Sequence, residues 1–121
     1  MKINLDEKLA KIKSFWHPYI IGELNDNFVK LARLKGDLVW HSHTEEDELF
    51  VVLKGTLMMD FRDGRTLATG PGEILIVPKG VEHRPWTLEE GEVTVMLVEP
   101  KSTKHTGELK VEQTVEIQEW I

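Results

Sequence analysis

The stretch His41-Ser42-His43-Thr44-Glu45-Glu46-Asp47-Glu48, with His83 about 35 residues further on, concentrates side chains that ligate metals. Two histidines two apart on a strand point to the same face, because side chains alternate with period 2. Their Cα atoms then lie about 7 Å apart, near enough for both rings to converge on one ion. Glu48 stands at an odd offset from His43, which a straight strand would send to the opposite face. It joins the histidines only if Thr44–Asp47 turns and the chain returns as a neighbouring strand. That polar, acidic tetrapeptide suits a turn better than a strand interior. His83 arrives from a third segment, behind Pro78-Lys79-Gly80. Three imidazoles and one carboxylate make a mixed N/O site for a borderline divalent metal, with coordination positions left open. The alternative is a hydrogen-bonded histidine cluster without metal, which leaves many buried polar atoms to satisfy.

The spacings His41-x-His43-x4-Glu48-x6-Gly55 and Gly72-x5-Pro78-x-Gly80-x2-His83 resemble the two motifs of the cupins. Gly36 stands one residue closer to His41 than the glycine that usually opens the first motif. Thr87 takes the place of the asparagine that usually closes the second. The motifs cover 36–87, and the strand pattern extends the likeness to 25–100, as in the small single-domain, mannose-6-phosphate-isomerase-like Cupin_2 proteins. The resemblance implies an all-β fold, an antiparallel double-stranded β-helix (a jelly-roll barrel). It implies one divalent ion, iron, manganese, nickel, zinc or copper, held by His41, His43, Glu48 and His83. Asp47 competes for the carboxylate position; the usual residue type and the distance to Gly55 favour Glu48.

The elements that must position these residues are short. Leu5, Leu9, Ile12 and Trp16 recur at helical spacing, and Asn4 with Glu7 fits a capping box, so a short amphipathic helix is expected before His17-Pro18. Asn25-Asp26-Asn27 is a hairpin turn between Tyr19–Leu24 and Phe28–Lys35. Further strands are expected at Leu38–His43, Glu48–Leu53, Thr56–Arg62, Arg65–Ala68, Ile74–Val77, His83–Leu88 and Val93–Glu99. Asp63-Gly64 is a type I′ turn candidate. Tight connections exclude helical crossovers and require antiparallel pairing. The expected organisation is an N-terminal helix and strand over 1–24, the barrel over 25–100 and a tail over 101–121. The tail from Val111 to Ile121 fits either a strand or a helix.

Leu49–Leu53 and Ile74–Val77 are apolar on both faces, so both faces want burial. Phe50, Val52, Ile74 and Ile76 are candidate walls of a substrate pocket, with Arg33 as a charged anchor. Lys30 is the alternative anchor, since the two have opposite parity and at most one faces inward. Trp40, Trp86 and Arg84 neighbour the ligand histidines and are expected to face away. His17 and His105 read as ordinary surface or core histidines.

At 121 residues the chain makes one domain. A net charge of −6 argues against a general nucleic-acid binder. The absence of cysteine excludes disulfides, thiolate metal sites and cysteine nucleophiles. No apolar run approaches membrane-spanning length and no signal peptide is evident, so the cytoplasm is the expected location. A metal-dependent enzyme acting on a sugar, sugar phosphate or organic acid is the leading reading, of isomerase, lyase or dioxygenase type. A non-catalytic module that binds or senses a small ligand through the metal is the alternative. Doubly apolar strands and four tryptophans favour a homodimer.

Overall fold

The computed structural model describes residues 1–89, 91–103, 106, 107 and 118–121. One helix, α1 (Leu5–Leu9), precedes strands β1 (Tyr19–Leu24), β2 (Asn27–Leu34), β3 (Glu48–Lys54), β4 (Leu57–Phe61) and β5 (Thr66–Thr69). Strands β6 (Ile74–Val77), β7 (His83–Thr87), β8 (Val93–Pro100) and β9 (Glu119–Trp120) complete the described elements. They form a six-stranded sheet, β6-β3-β8-β2-β1-β9, and a three-stranded sheet, β5-β4-β7. Inward-facing Ala32, Leu34, Phe50, Val52 and Val95 of the first sheet meet Leu57, Met59 and Phe61 of the second in one core. This is a jelly-roll-like arrangement of mostly antiparallel strands with a short N-terminal helix. No helix among the described residues is long and apolar enough to cross a membrane.

Asn4 caps α1, its side-chain oxygen accepting from the Glu7 N–H at 3.0 Å. The helix nevertheless ends well before Trp16. Ile12 is drawn into a second apolar cluster with Ile21 and Leu31, on the outer face of the large sheet, where Leu5 and Leu9 also pack. Trp16 takes a left-handed φ of 60° while its N–H donates to the Arg33 carbonyl at 2.9 Å. Anchoring to the sheet replaces the helix over this stretch.

Three further expectations change in detail. The segment Leu38–His43 carries one isolated bridge, His41 to His83, in place of a continuous strand, and a second, Asp37 to Trp86, lies just ahead of it. Strands β1 and β9 pair in parallel, because the short-connection argument constrains only consecutive strands. The rest of the tail's alternation, 111–117, lies outside the described residues. At Asp63-Gly64 only Gly64 is left-handed, so the turn is not type I′.

Parity corrects one pair of pocket candidates. Strand β3 aligns Glu48 with Val77 and Phe50 with Leu75 across the β3–β6 ladder, and cross-strand partners share a face. Leu75 and Val77 are therefore buried, whereas Ile74 and Ile76 point outward, 59% and 56% exposed. An all-apolar strand offers no alternation from which that register could be read.

Gly55 closes the β3–β4 turn at φ +77°, and a Cβ there would collide with the Glu92 carbonyl oxygen. Gly55→Ala combines strain with a backbone clash and is expected to destabilise the fold by about 2 kcal/mol. A chemical denaturation midpoint equal to that of the wild type would contradict this.

Candidate metal centre

His41, His43, Glu48 and His83 are all buried, and each offers a ligand atom within 4.8 Å of the others. Three separate segments bring them together. Reciprocal backbone bonds join His41 and His83, N–H to carbonyl at 3.0 and 2.9 Å. The Gly80 N–H donates to the His43 carbonyl at 2.7 Å, which fastens the turn before β7 to the histidine segment. Glu48 opens β3 on the same inward face as Phe50 and Val52. Asp47 is spent elsewhere: its Oδ1 accepts from the Lys79 N–H at 2.8 Å. Of the two acids, Glu48 stands in the cluster and Asp47 outside it.

Hydrogen bonds also fix the ring tautomers. His41 Nδ1 donates to the Val39 carbonyl and His83 Nδ1 to the Val81 carbonyl, both at 2.9 Å. A carbonyl only accepts, so the proton sits on Nδ1 and the Nε2 lone pair of each neutral ring is bare. In both rings that buried Nε2 has no hydrogen-bond partner among the described residues. His43 Nε2 approaches Glu48 Oε2 at 2.9 Å without hydrogen-bond alignment, and His83 Nε2 lies 3.5 Å from Glu48 Oε1. Orphaned ring nitrogens around a carboxylate are costly as a purely structural cluster and fit a divalent cation. The donor set suits the metals that take imidazole and carboxylate together.

The electrostatics agree. Burial, with His83 nearby, lowers the pKa of His41 to about 4, which keeps its nitrogen available near neutral pH. Burial also opposes charge on Glu48, but the rings of His43 and His83 outweigh it and draw the carboxyl down to about 2. For His43 the burial penalty is overcome by Glu48, with Glu99 and Glu46 adding to it, and its pKa is raised. The Glu48 carboxylate thus favours positive charge at the centre.

Two departures from the usual cupin motifs touch each other. Thr87 Oγ1 accepts from the Gly36 N–H at 2.8 Å, and the Thr87 N–H donates to the Gly36 carbonyl at 2.9 Å. Gly107 lies so close to the His41–His43 segment that a Cβ would run into the Ser42 carbonyl oxygen. As expected, the residues beside the ligands face away. Trp86 Nε1 donates to Asp60 at 2.9 Å, Arg84 pairs with Asp60 at 2.9 Å, and the Arg62 guanidinium stacks 3.9 Å from the Trp40 ring. His17 is not in the cluster and stacks on Tyr19, and His105 lies outside the described residues.

His41 and Glu48 border a cavity walled by Trp16, Leu34, Leu38, Phe50, Pro85, Val95, Leu97 and Glu99. Of the pocket candidates Phe50 lines it; Val52 is buried in the core between the sheets. Arg33 does not reach it. Its guanidinium pairs with Glu92 and donates to the Ile12 carbonyl at 2.7 Å, on the other face of β2. Lys30 is the inward cation, tied to Glu99 at 2.8 Å inside the protein. Glu99 was not anticipated, although Val93-x-Val95-x-Leu97-x-Glu99 carries the signal: an acid continuing the inward parity of an apolar strand. Burial and the Glu48 charge raise its pKa to about 7 against the opposing pull of Lys30. The enclosed part of the cavity measures about 30 Å³. One water needs roughly 10–15 Å³, so it has room for about two waters.

A cupin-domain family model matches residues 32–99. The Bacillus subtilis protein YdbB is 44% identical over 81 residues, 67% of this chain and 72% of its own length. A crystal structure of a cupin-2 domain protein from Shewanella frigidimarina superposes with a TM-score of 0.78 at 39% identity, covering 82% of this chain and 94% of that one. A structure from Neisseria meningitidis superposes with a TM-score of 0.74 at 36% identity, covering 84% of this chain and 100% of the other.

The depressed Glu48 pKa predicts how the metal-free protein responds to acid. A carboxylate whose folded pKa lies below its ordinary value contributes stability above that value and loses it as pH falls toward the folded pKa. Between about pH 5 and pH 3, Glu48→Gln should therefore lose less stability than the wild type, as read from urea midpoints. Parallel acid limbs would show that Glu48 is not held as described.

Proposed function

The chain belongs to the cupin domain family, and from that premise we propose that it is a metal-dependent enzyme acting on a small polar molecule. The observation that carries the reading is the His41–His43–Glu48–His83 cluster with its orphaned nitrogens, of which His41 and Glu48 border a cavity. A divalent ion held there would supply Lewis acidity toward a substrate oxygen. The chain's own residues do the rest. The carbonyls of Val39 and Val81 keep two rings in the ligating tautomer. Phe50, Leu38, Val95 and Leu97 exclude water from one side of the substrate, and Trp16 covers another. The narrow interior favours a substrate of few atoms, such as a small organic acid. A sugar-sized molecule would have to displace the Trp16–Pro18 segment. Isomerase, lyase and dioxygenase chemistry all remain compatible with such a centre. The narrowness is also the observation that favours the second reading, a non-catalytic module that binds or senses a small ligand.

We further propose a homodimer. Ile74 and Ile76 stand exposed on β6, the edge strand of the large sheet, beside half-buried Leu49 and Val51 of β3. An apolar, uncovered edge strand is a ready surface for a second copy.

Two measurements test these readings. Added divalent metal at about one hundred times its Kd should stabilise the metal-free protein by roughly 2.7 kcal/mol. The gain should vanish in the double variant His41→Ala, His83→Ala, and elemental analysis should return about one equivalent for the wild type and almost none for the variant. Equal loading of both proteins would sink the metal centre. Light scattering should give about twice the 13.9 kDa chain mass. Ile74→Lys with Ile76→Lys should return the monomer; a wild type already monomeric at micromolar concentration would contradict the dimer.

A further inference from the structure

Beside the cavity, with Glu99 on its wall, stands a second charged pair that the metal centre does not use. Lys30 and Glu99 are 3% and 2% exposed, and their 2.8 Å ion pair occupies only one carboxylate oxygen of Glu99. The other, Oε2, is buried without a hydrogen-bond partner among the described residues, on a wall of the same cavity that His41 and Glu48 border. Of the remaining wall residues Trp16 carries a side-chain donor, but its indole N–H is spent on the Lys35 carbonyl at 2.8 Å; Leu38, Phe50, Val95 and Leu97 carry none. A buried carboxylate oxygen left unsatisfied is expensive, and a buried ion pair is often replaceable by apolar side chains at no loss of stability. Packing therefore gives no reason for this pair to sit where it does.

Charge narrows the ligand. With a divalent ion at the centre, that ion and Lys30 face two carboxylates, Glu48 and Glu99, so one net positive charge remains inside a poorly solvated space. A monoanion neutralises it. A divalent ion at the centre, added to the pull of Lys30, favours the ionised form of Glu99, whose free oxygen then accepts, so the anion must also carry a donor.

We infer that Glu99, held by Lys30, is a ligand-positioning residue that accepts a hydrogen bond from the hydroxyl of a small hydroxy-monocarboxylate bound at the metal centre. This rests on the metal-centre reading proposed above, and it names the substrate class of that site. Site and ligand are matched in charge and in donor and acceptor.

The test uses the cobalt-loaded protein, with glycolate and acetate as matched probes, and reads the visible cobalt absorption on titration. Metal content is measured first for every protein. Chelation of cobalt by the glycolate hydroxyl is common to all of them and cancels when glycolate-to-acetate affinity ratios are compared. Glu99→Gln offers an amide donor where the free oxygen stood, and should lower the ratio by about tenfold or more at unchanged metal content. The double variant Lys30→Met, Glu99→Leu removes both charges, keeps a packed interior, and should lower the ratio similarly. A ratio unchanged in both variants at full metal loading would reduce the pair to a structural role and overturn the inference. Failure of the loaded wild type to bind either probe would overturn the ligand class. Failure of the wild type to take up cobalt would instead remove the centre itself, and the inference with it.

Discussion

Three imidazole nitrogens and one carboxylate face one another within 4.8 Å in the protein interior, and much of the surrounding structure holds them there. Buried polar atoms without partners are unfavourable, and a cation between them would satisfy them. The fold does not relieve that cost by turning the rings outward. It spends both Nδ1 protons of His41 and His83 on neighbouring carbonyls, which leaves Nε2 no choice but to face the centre. Glu48 supplies the negative charge that makes a cation welcome, and its own burial is tolerable only beside the rings that counter it.

Positioning falls to backbone contacts between segments far apart in sequence. The reciprocal His41–His83 bonds and the Gly80-to-His43 bond set the distance between the two halves of the site. The Asp47 carboxylate adds a further tie to the turn before β7. Thr87 and Gly36 close the end of the same bridge. Beyond the cluster, the two sheets contribute a mostly aliphatic cavity, and the N-terminal segment with Trp16 narrows its interior. The six-stranded sheet thus serves twice: its inner face carries Glu48, Lys30 and Glu99, while its outer face takes the N-terminal helix and leaves Ile74 and Ile76 bare.

Where a residue type is chemically distinctive, the sequence was readable. The histidine spacing, the turn before Glu48 and the outward Trp40 and Trp86 follow from period-2 geometry. Where the choice lay between like residues, it was not. Ile74, Leu75, Ile76 and Val77 are interchangeable in polarity, so only the pairing of Glu48 with Val77 decides which face each takes. Lys30 and Arg33 posed a parity question without a reference point, and the inward neighbours Ala32 and Leu34 supply it. The helix ended early because packing of Ile12 and the Trp16 anchor outcompeted a helical period that extended further. Glu99 escaped notice because acids at strand ends are usually solvated, and only its depth marks it out.

The most direct test of the account is anomalous diffraction from crystals of the zinc- or nickel-loaded protein. It predicts one strong peak in the interior, with His41, His43 and His83 nitrogens and a Glu48 oxygen at about 2.0–2.2 Å. A peak only at surface carboxylates, or an interior ion that omits any of the four residues, would contradict it.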